Sequence, residues 1–371
     1  MSQGIRTADI IVVGAGIAGA SIAARLAGDA RVLMLEMEAQ PGYHTTGRSA
    51  ASYEPTYGPP VIRSLTTAAG DFFRAPPEEF SAVPLLAPRG CVALGGAEDG
   101  KLAEAAIAVG YRRASFAECV RRIPLLRDDA AHYLVCDSLM DIDVEALLRG
   151  FLGVVRRAGG SLLTQAKVES GAYRDGVWRL ATSVGPCQAP LVVDAAGAWA
   201  DDLARRCGVA PLGLTPKRRS VCVVPAPPGV DVMRWPQIID LGDRFYAKPA
   251  AGKVLVSPFD ADPSEPHDAF ADDLRLAEGI DAYGRAVNHE IIRIERSWGG
   301  LRTFAPDGDP VIGFDPAAAG FFWSAGQGGY GIQTSPAWSE LAAALALGRS
   351  GSQAPIAVEA VSPARFRRRG A

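Results

Sequence analysis

Gly14, Gly16 and Gly19 lie between an apolar run, Ile10 to Val13, and a helical pattern, and Glu36 closes the next apolar run, Arg31 to Glu36. Each glycine meets a different demand of phosphate binding. Gly14 permits a tight turn out of a strand, Gly16 lets backbone N–H groups approach a pyrophosphate, and Gly19 lets helix and strand pack closely. The helix start, at Ile17 and Ala18, then presents its partial positive charge to the phosphates. Glu36 follows about twenty residues beyond the glycines, where a carboxylate can accept ribose hydroxyl hydrogens. A purely structural glycine turn would need neither the strand before it, the helix after it nor the terminal acid, so an adenine dinucleotide is the expected ligand. A second glycine turn, Gly326 to Gly331, feeds a helix of Ala and Leu running to about Leu347 and offers a second dipole site. With only four histidines in the chain, a His-centred mechanism has few candidates.

The elements that would position these residues can be read in outline. After Glu36 comes a Gly-, Ser-, Thr- and Pro-rich loop, Gln40 to Gly58, too long to be a mere connector and so expected to be functional. Asp143 reads as an N-cap for a helix whose apolar face is Val144, Leu147, Leu148, Phe151, Leu152 and Val155, ended by Gly159-Gly160. Two strand-like runs flank Asp175-Gly176, a hairpin signal. Leu191 to Asp194 reads as a strand running into the Gly197 turn and a helix to Arg206. Residues 213–296, with Pro-rich turns and alternating runs such as Val221–Val224 and Lys253–Ser257, suit an antiparallel sheet.

Bulk properties narrow the function classes. A chain of 371 residues is long for one core, so two domains are expected. Net charge −3 leaves no electrostatic footprint for nucleic acid, and the basic run Arg365 to Arg369 reads as a solvated tail. Six scattered cysteines without a C-x-x-C give neither a metal site nor a disulfide framework, which suits reduced thiols in the cytoplasm. No stretch reaches the eighteen or so uninterrupted apolar residues of a membrane span.

Taken together, these residues resemble the D-amino-acid oxidase superfamily of FAD enzymes, over essentially the whole chain. Within it, Gln40 to Ala50, Pro216 to Ser220 and Gln327 to Ser335 are most similar to bacterial D-arginine and related D-amino-acid dehydrogenases. The resemblance implies an α/β architecture (α+β overall): a Rossmann-like FAD-binding domain from 1–84, 140–212 and 297–371, and an antiparallel-sheet substrate domain from 85–139 and 213–296. It implies non-covalent FAD, since the cysteine that tethers flavin in some relatives has no counterpart after Cys222. Arg48, Ser49 and Ala50 would lie along the flavin, Val168 would meet adenine through its backbone, and Ala196, Gly197 and Trp199 would close over the dinucleotide. Gly300, Arg302, Gly329, Tyr330, Gly331, Ile332, Gln333 and Thr334 would approach the flavin ring, the last group at its pyrimidine end.

The same resemblance implies oxidation of an amino acid, with hydride passing to flavin N5 and the imine hydrolysing to a 2-oxo acid and ammonia. Arg302 and Arg219 would clamp the carboxylate, Tyr57 and Tyr246 would close over the substrate, and the Gly329 carbonyl and Gln333 would lie near its amine. Judged by residue type alone, Arg218 and Arg219 are equally an exposed pair at a strand end, and Tyr57 a packing residue. Three positions depart from the arginine enzymes. Cys91 stands where they carry an acid facing the basic side chain, Ser52 replaces a loop histidine, and Glu54 replaces a threonine. Loss of the acid favours neutral substrate side chains, while Glu54 either restores an acid from another direction or reads as a solvated loop charge. The electron acceptor stays open between oxygen, a quinone and another carrier. So do three other functions: an oxygen-using glycine- or sarcosine-type oxidase, a 2-hydroxy-acid dehydrogenase, and a non-catalytic flavin subunit.

Overall fold

The computed structural model describes residues 4–350 and 354–367, so Arg368 and Arg369 of the basic run lie outside it. Its centre is a six-stranded sheet in the order Ser161–Leu163, Val32–Leu35, Ile10–Val13, Leu191–Asp194, Phe321–Ala325 and Val311–Phe314. Every pair is parallel except the last. Strand periodicity divides its side chains between two cores. Ile10 and Val12 pack on one face with helices Ile17–Leu26, Val144–Arg157 and Gly331–Ala346. Ile11 and Val13 pack on the other with helix Ala200–Arg206 and the strands Val168–Arg174 and Val177–Thr182.

The local readings hold where short-range chemistry decides. Asp143 caps its helix by accepting Ala146 N–H at 2.8 Å, and Leu147, Leu148, Phe151 and Val155 are buried along the expected face. Asp175 and Gly176 both have positive φ, the requirement of a type I′ hairpin turn. At Gly14, φ is +101° and an added Cβ would meet the Ala195 carbonyl oxygen at 2.4 Å. That close approach packs the turn against the neighbouring strand.

A nine-stranded sheet stands beside this one, running Gln327–Gly328, Arg296–Phe304, Thr215–Val224, Lys253–Ser257, Tyr246–Ala250, Gln237–Asp240, Cys91–Gly95, His132–Cys136 and Arg112–Arg113. It is not purely antiparallel, because Gln237–Asp240 pairs parallel with Cys91–Gly95. Two pieces expected in the FAD-binding segments lie in it instead. Arg296–Phe304 pairs along its whole length with Thr215–Val224, and Gln327–Gly328 pairs with Arg296–Phe304 in turn. The strand carrying Arg302 is therefore part of the large sheet. Ser52 is also not in a free loop: Ser52–Tyr53 pairs with Met140–Ile142 in a small three-stranded sheet.

Candidate active site

One cavity of about 490 Å³ runs from the glycine turn to the face of the large sheet. At its first end Gly14, Gly16, Ile17, Ala18 and Glu36 form the wall, with Val168 nearby. Gly19 does not reach it; an added Cβ there would meet the Gly14 carbonyl oxygen at 1.9 Å, so this glycine serves packing. Glu36 accepts Ala15 N–H at 2.8 Å and Glu38 N–H at 3.0 Å, so its carboxylate also braces the turn. Thr46, which sequence reasoning did not single out, accepts Ile17 N–H at 2.9 Å and lines the same wall. Its position inside the long loop was the available signal.

Arg48, Ser49, Ala50, Ala196, Gly197, Trp199 and Gly300 continue the wall. The Arg48 guanidinium is committed to protein: it donates to the carbonyls of Ala269 at 2.9 Å and Gly299 at 3.0 Å and pairs with Asp268. Lys248, buried behind Ala50, donates to the carbonyls of Ala50 at 3.2 Å and Ala51 at 3.4 Å and to Asp141 at 2.7 Å. These bonds tether the glycine- and serine-rich loop to the large sheet. His44, the sole histidine on this wall among the described residues, is held by Glu38 at 2.9 Å and packs on Trp199.

At the sheet end, register sets the geometry. Arg219 lies opposite Gly300 and Lys217 opposite Arg302, so Arg219 and Arg302 are diagonal neighbours on one face. Arg218 points the other way, to Asp272 at 2.8 Å, as strand alternation requires. Arg219 donates to the Asp260 carbonyl at 2.9 Å and Arg302 to the same oxygen at 3.3 Å. Among the described residues no carboxylate lies within 4 Å of Arg302, and the nearest to Arg219 is Asp260 Oδ1 at 3.9 Å. Burial, then the neighbouring Arg219 charge, holds the Arg302 guanidinium down to about 10. Its buried Nε has no partner. The pair has the geometry and the unmet charge to receive an anion.

Around the arginines stand Tyr246, Phe259, Asp243, Gly329 and Tyr57. The Arg219 guanidinium sits over the Phe259 ring, 4.9 Å from its centroid. Gly329 abuts Arg302, where an added Cβ would lie 3.2 Å from Nη1. Tyr57 is 48% exposed, at the mouth, with its ring against Tyr330. Asp243, Gln237, Ile239 and Tyr111 line this end too and were missed, because only tertiary structure brings them here. Three expected residues are differently placed. Tyr330 and Thr334 are not on the wall; the Thr334 hydroxyl is spent on the Tyr330 carbonyl at 2.9 Å inside its own helix. Cys91 is fully buried and does not line the cavity; the Tyr111 hydroxyl, which does, lies 4.0 Å from its Sγ.

Glu54 corrects the reading as a solvated charge. It is 5% exposed and lines the cavity, accepting from Thr56 Oγ1 at 2.6 Å, Tyr111 OH at 3.3 Å and Cys136 Sγ at 3.6 Å. Its own N–H donates to Gln333 Oε1 at 3.1 Å, which leaves Gln333 Nε2 buried without a partner. Ser52 lines the wall with its hydroxyl donated to Gln237 Oε1 at 3.1 Å.

The residues present fit an elongated dinucleotide with a flat polar ring. Two helix N-termini, at Ile17 and Gly331, open on one cavity, a glycine cradle leaves room for phosphates, and a spare donor on Gln333 faces the ring end. Among the described residues no helix is long and apolar enough to cross a membrane.

Residues 9–345 match the family model described as DAO, FAD dependent oxidoreductase. FAD-dependent oxidoreductase domain-containing protein 1 of Xenopus laevis is 28% identical over 179 residues, 42% of this chain and 34% of that protein. Its Bos taurus counterpart is 26% identical over 188 residues, 44% and 36% of the two, so the match spans about a third of these curated relatives. Glycine oxidase from Geobacillus kaustophilus superposes with TM-score 0.80 at 21% identity, covering 93% of this chain and 96% of that one. L-proline dehydrogenase from P. horikoshii gives 0.83 at 20% identity, covering 98% and 99%. L-amino acid deaminase from Proteus vulgaris gives 0.83 at 17%, also covering 98% and 99%. Those identities carry the fold alone; with the family match over most of its length, the chain belongs to the DAO family of FAD-dependent oxidoreductases.

Proposed function

We propose that this chain oxidises the C–N bond of amino acids, giving a 2-oxo acid and ammonia after hydrolysis of the imine. The observation that carries this reading is the arginine pair. Two guanidiniums, Arg302 with no carboxylate within 4 Å among the described residues and Arg219 with only Asp260 Oδ1 at 3.9 Å, face the cavity that also holds the glycine cradle. The similar solved structures include enzymes named for glycine, L-proline and L-amino acids, which supports an amino acid as substrate. The D configuration is taken from the resemblance of residues 40–50, 216–220 and 327–335 to D-amino-acid dehydrogenases.

FAD bound here supplies the two-electron acceptor for the substrate carbon's hydride. The protein's part is binding and aim. Arg302 and Arg219 take the substrate carboxylate, because a planar fork matches two carboxylate oxygens. Tyr246 and Tyr57 close the open side, and the Gly329 carbonyl accepts an amine hydrogen. Gln333 keeps Nε2 without a protein partner, so it remains a donor for a group bound at this end of the cavity. Charge neutralisation at the clamp and orientation of the C–H bond are the catalytic contributions.

The expectation of neutral substrate side chains rested on Cys91 and Ser52, and Glu54, buried on the cavity wall, supports the alternative of an acid supplied from the loop. Anaerobic mixing of the holoenzyme with D- and L-amino acids, following loss of flavin absorbance, tests the reading. Bleaching by amino acids is expected. Bleaching only by 2-hydroxy acids, or by nothing, overturns it. Repeating turnover with oxygen and with an artificial acceptor tells whether the chain works as a dehydrogenase, as we propose.

A further inference from the structure

We infer that Glu54 selects the substrate, receiving a second, non-reacting cationic nitrogen, the ammonium or guanidinium of a basic amino acid, on the wall shared with Tyr111. This rests on the amino-acid reading of the site. The neighbours of Glu54 are the first observation. A hydroxyl from Thr56, a hydroxyl from Tyr111 and a thiol from Cys136 each have a hydrogen to give, and among the described residues no Lys, Arg or His pairs with it. A carboxylate taken out of water without a cation is costly, and the cost is relieved when one arrives.

Comparison with the other buried acids shows how unusual this is. Asp99 and Asp240 each hold Arg244, and Asp201 accepts three backbone N–H groups at Leu212, Gly213 and Leu214. Glu36, the other acid on the cavity wall that is this deeply buried, accepts two backbone N–H groups. Glu54 has neither a cation nor a backbone donor, and it opens on the cavity that holds the arginine clamp. Burial pushes its carboxyl above the ordinary range, against the pull of its three hydrogen bonds.

The position is also built rather than incidental. The Glu54 N–H is held by Gln333 Oε1 from the Gly331–Ala346 helix, and its carbonyl accepts Tyr57 N–H at 3.1 Å. Tyr57 in turn lines the same cavity as the two arginines. One short segment therefore carries the mouth residue of the clamp and the acid for the far group. A zwitterion with a second cation satisfies both ends, its carboxylate at the arginines and its side-chain nitrogen at Glu54.

The first test needs no mutation. Wild-type holoenzyme is compared on D-arginine and D-citrulline, which differ by a guanidinium against a neutral urea of nearly the same shape. A charge-assisted hydrogen bond translates to roughly a tenfold to hundredfold preference in kcat/KM for D-arginine. Equal use of the two overturns the inference while leaving amino-acid oxidation standing. If no amino acid reduces the flavin, the reading of the site fails first. The second test is Glu54→Gln, for which the ratio of kcat/KM for D-arginine over D-leucine should fall about tenfold to a hundredfold. Its melting temperature should not drop, because an amide keeps the shape and removes the buried charge. An unchanged ratio, or a ratio that falls only with loss of the fold, overturns the inference.

Discussion

In an Arg302→Met variant, kcat/KM for an amino acid should fall by about 30-fold to about 5,000-fold, while the folded protein becomes no less stable. The two halves have one cause. Burial and the adjacent Arg219 charge bring the Arg302 guanidinium down to about 10, and its one hydrogen-bond acceptor is a backbone carbonyl at 3.3 Å. That displacement below the ordinary guanidinium value penalises the charged form by about 3 kcal/mol. The cost to the folded protein is present at every pH below about 10, where the group is charged, and it vanishes as the group loses its proton above that value. A bound carboxylate relieves it, and truncating one partner of such a desolvated pair costs about 2–5 kcal/mol. Methionine keeps most of the apolar stem and removes the charge. Anaerobic flavin reduction gives the kinetic half, thermal unfolding of the same holoenzyme gives the other, and the flavin spectrum checks that FAD is still bound. Unimpaired reduction would refute the clamp, and a clear fall in melting temperature would refute the claim that Arg302 is held at a cost.

Other outcomes follow from the same geometry. Gly14→Ala should yield protein with little bound flavin, read from the visible spectrum after purification, because its Cβ would meet the Ala195 oxygen at 2.4 Å and φ is +101°. Acid precipitation should release all flavin into the supernatant, since among the described residues no cysteine lines the cavity; colour left on the pellet would contradict this. For Glu54→Gln, the melting temperature relative to wild type should rise as pH climbs above the ordinary carboxylate range. Burial raises the Glu54 carboxyl, so its contribution to stability is fullest in acid and is lost as pH climbs through the raised value. A flat difference would show that Glu54 titrates as an exposed acid does.

What was legible in the sequence was what local chemistry determines. Gly14 at the turn, Asp143 as a cap and Asp175-Gly176 as a hairpin each act through neighbours within a few residues, and each is where expected. Arg219 and Arg302 were legible only through resemblance, because their diagonal placement depends on pairing between strands some eighty residues apart. The failures have the same physical origin. Glu54 looks like a loop charge until the Gly331–Ala346 helix, the His132–Cys136 strand and Tyr111 close around it. Cys91 matched a position in an alignment, but Tyr111 and Glu54, not Cys91, reach the cavity. Arg296–Phe304 lacked a sequence signal for its sheet partner, since strand pairing leaves none in a single strand.

Asp260 joins the two arginines in a way that bears on how such a site can change. Its carbonyl receives both guanidiniums, while its carboxylate receives Ser220 N–H at 2.6 Å and the Ser220 hydroxyl at 2.8 Å. The aim of each arginine is thus set by one backbone carbonyl, and the fully buried side chain of the same residue grips Ser220 on the strand that carries Arg219. Neither can be re-aimed alone, and an insertion near Asp260 would displace both together. The Glu54 segment has no such lock: beyond the short Ser52–Tyr53 strand pairing, single hydrogen bonds from separate elements hold it. Descendants of this chain can therefore exchange one substrate side chain for another by altering the Glu54 segment, while the grip on the carboxylate is inherited unaltered.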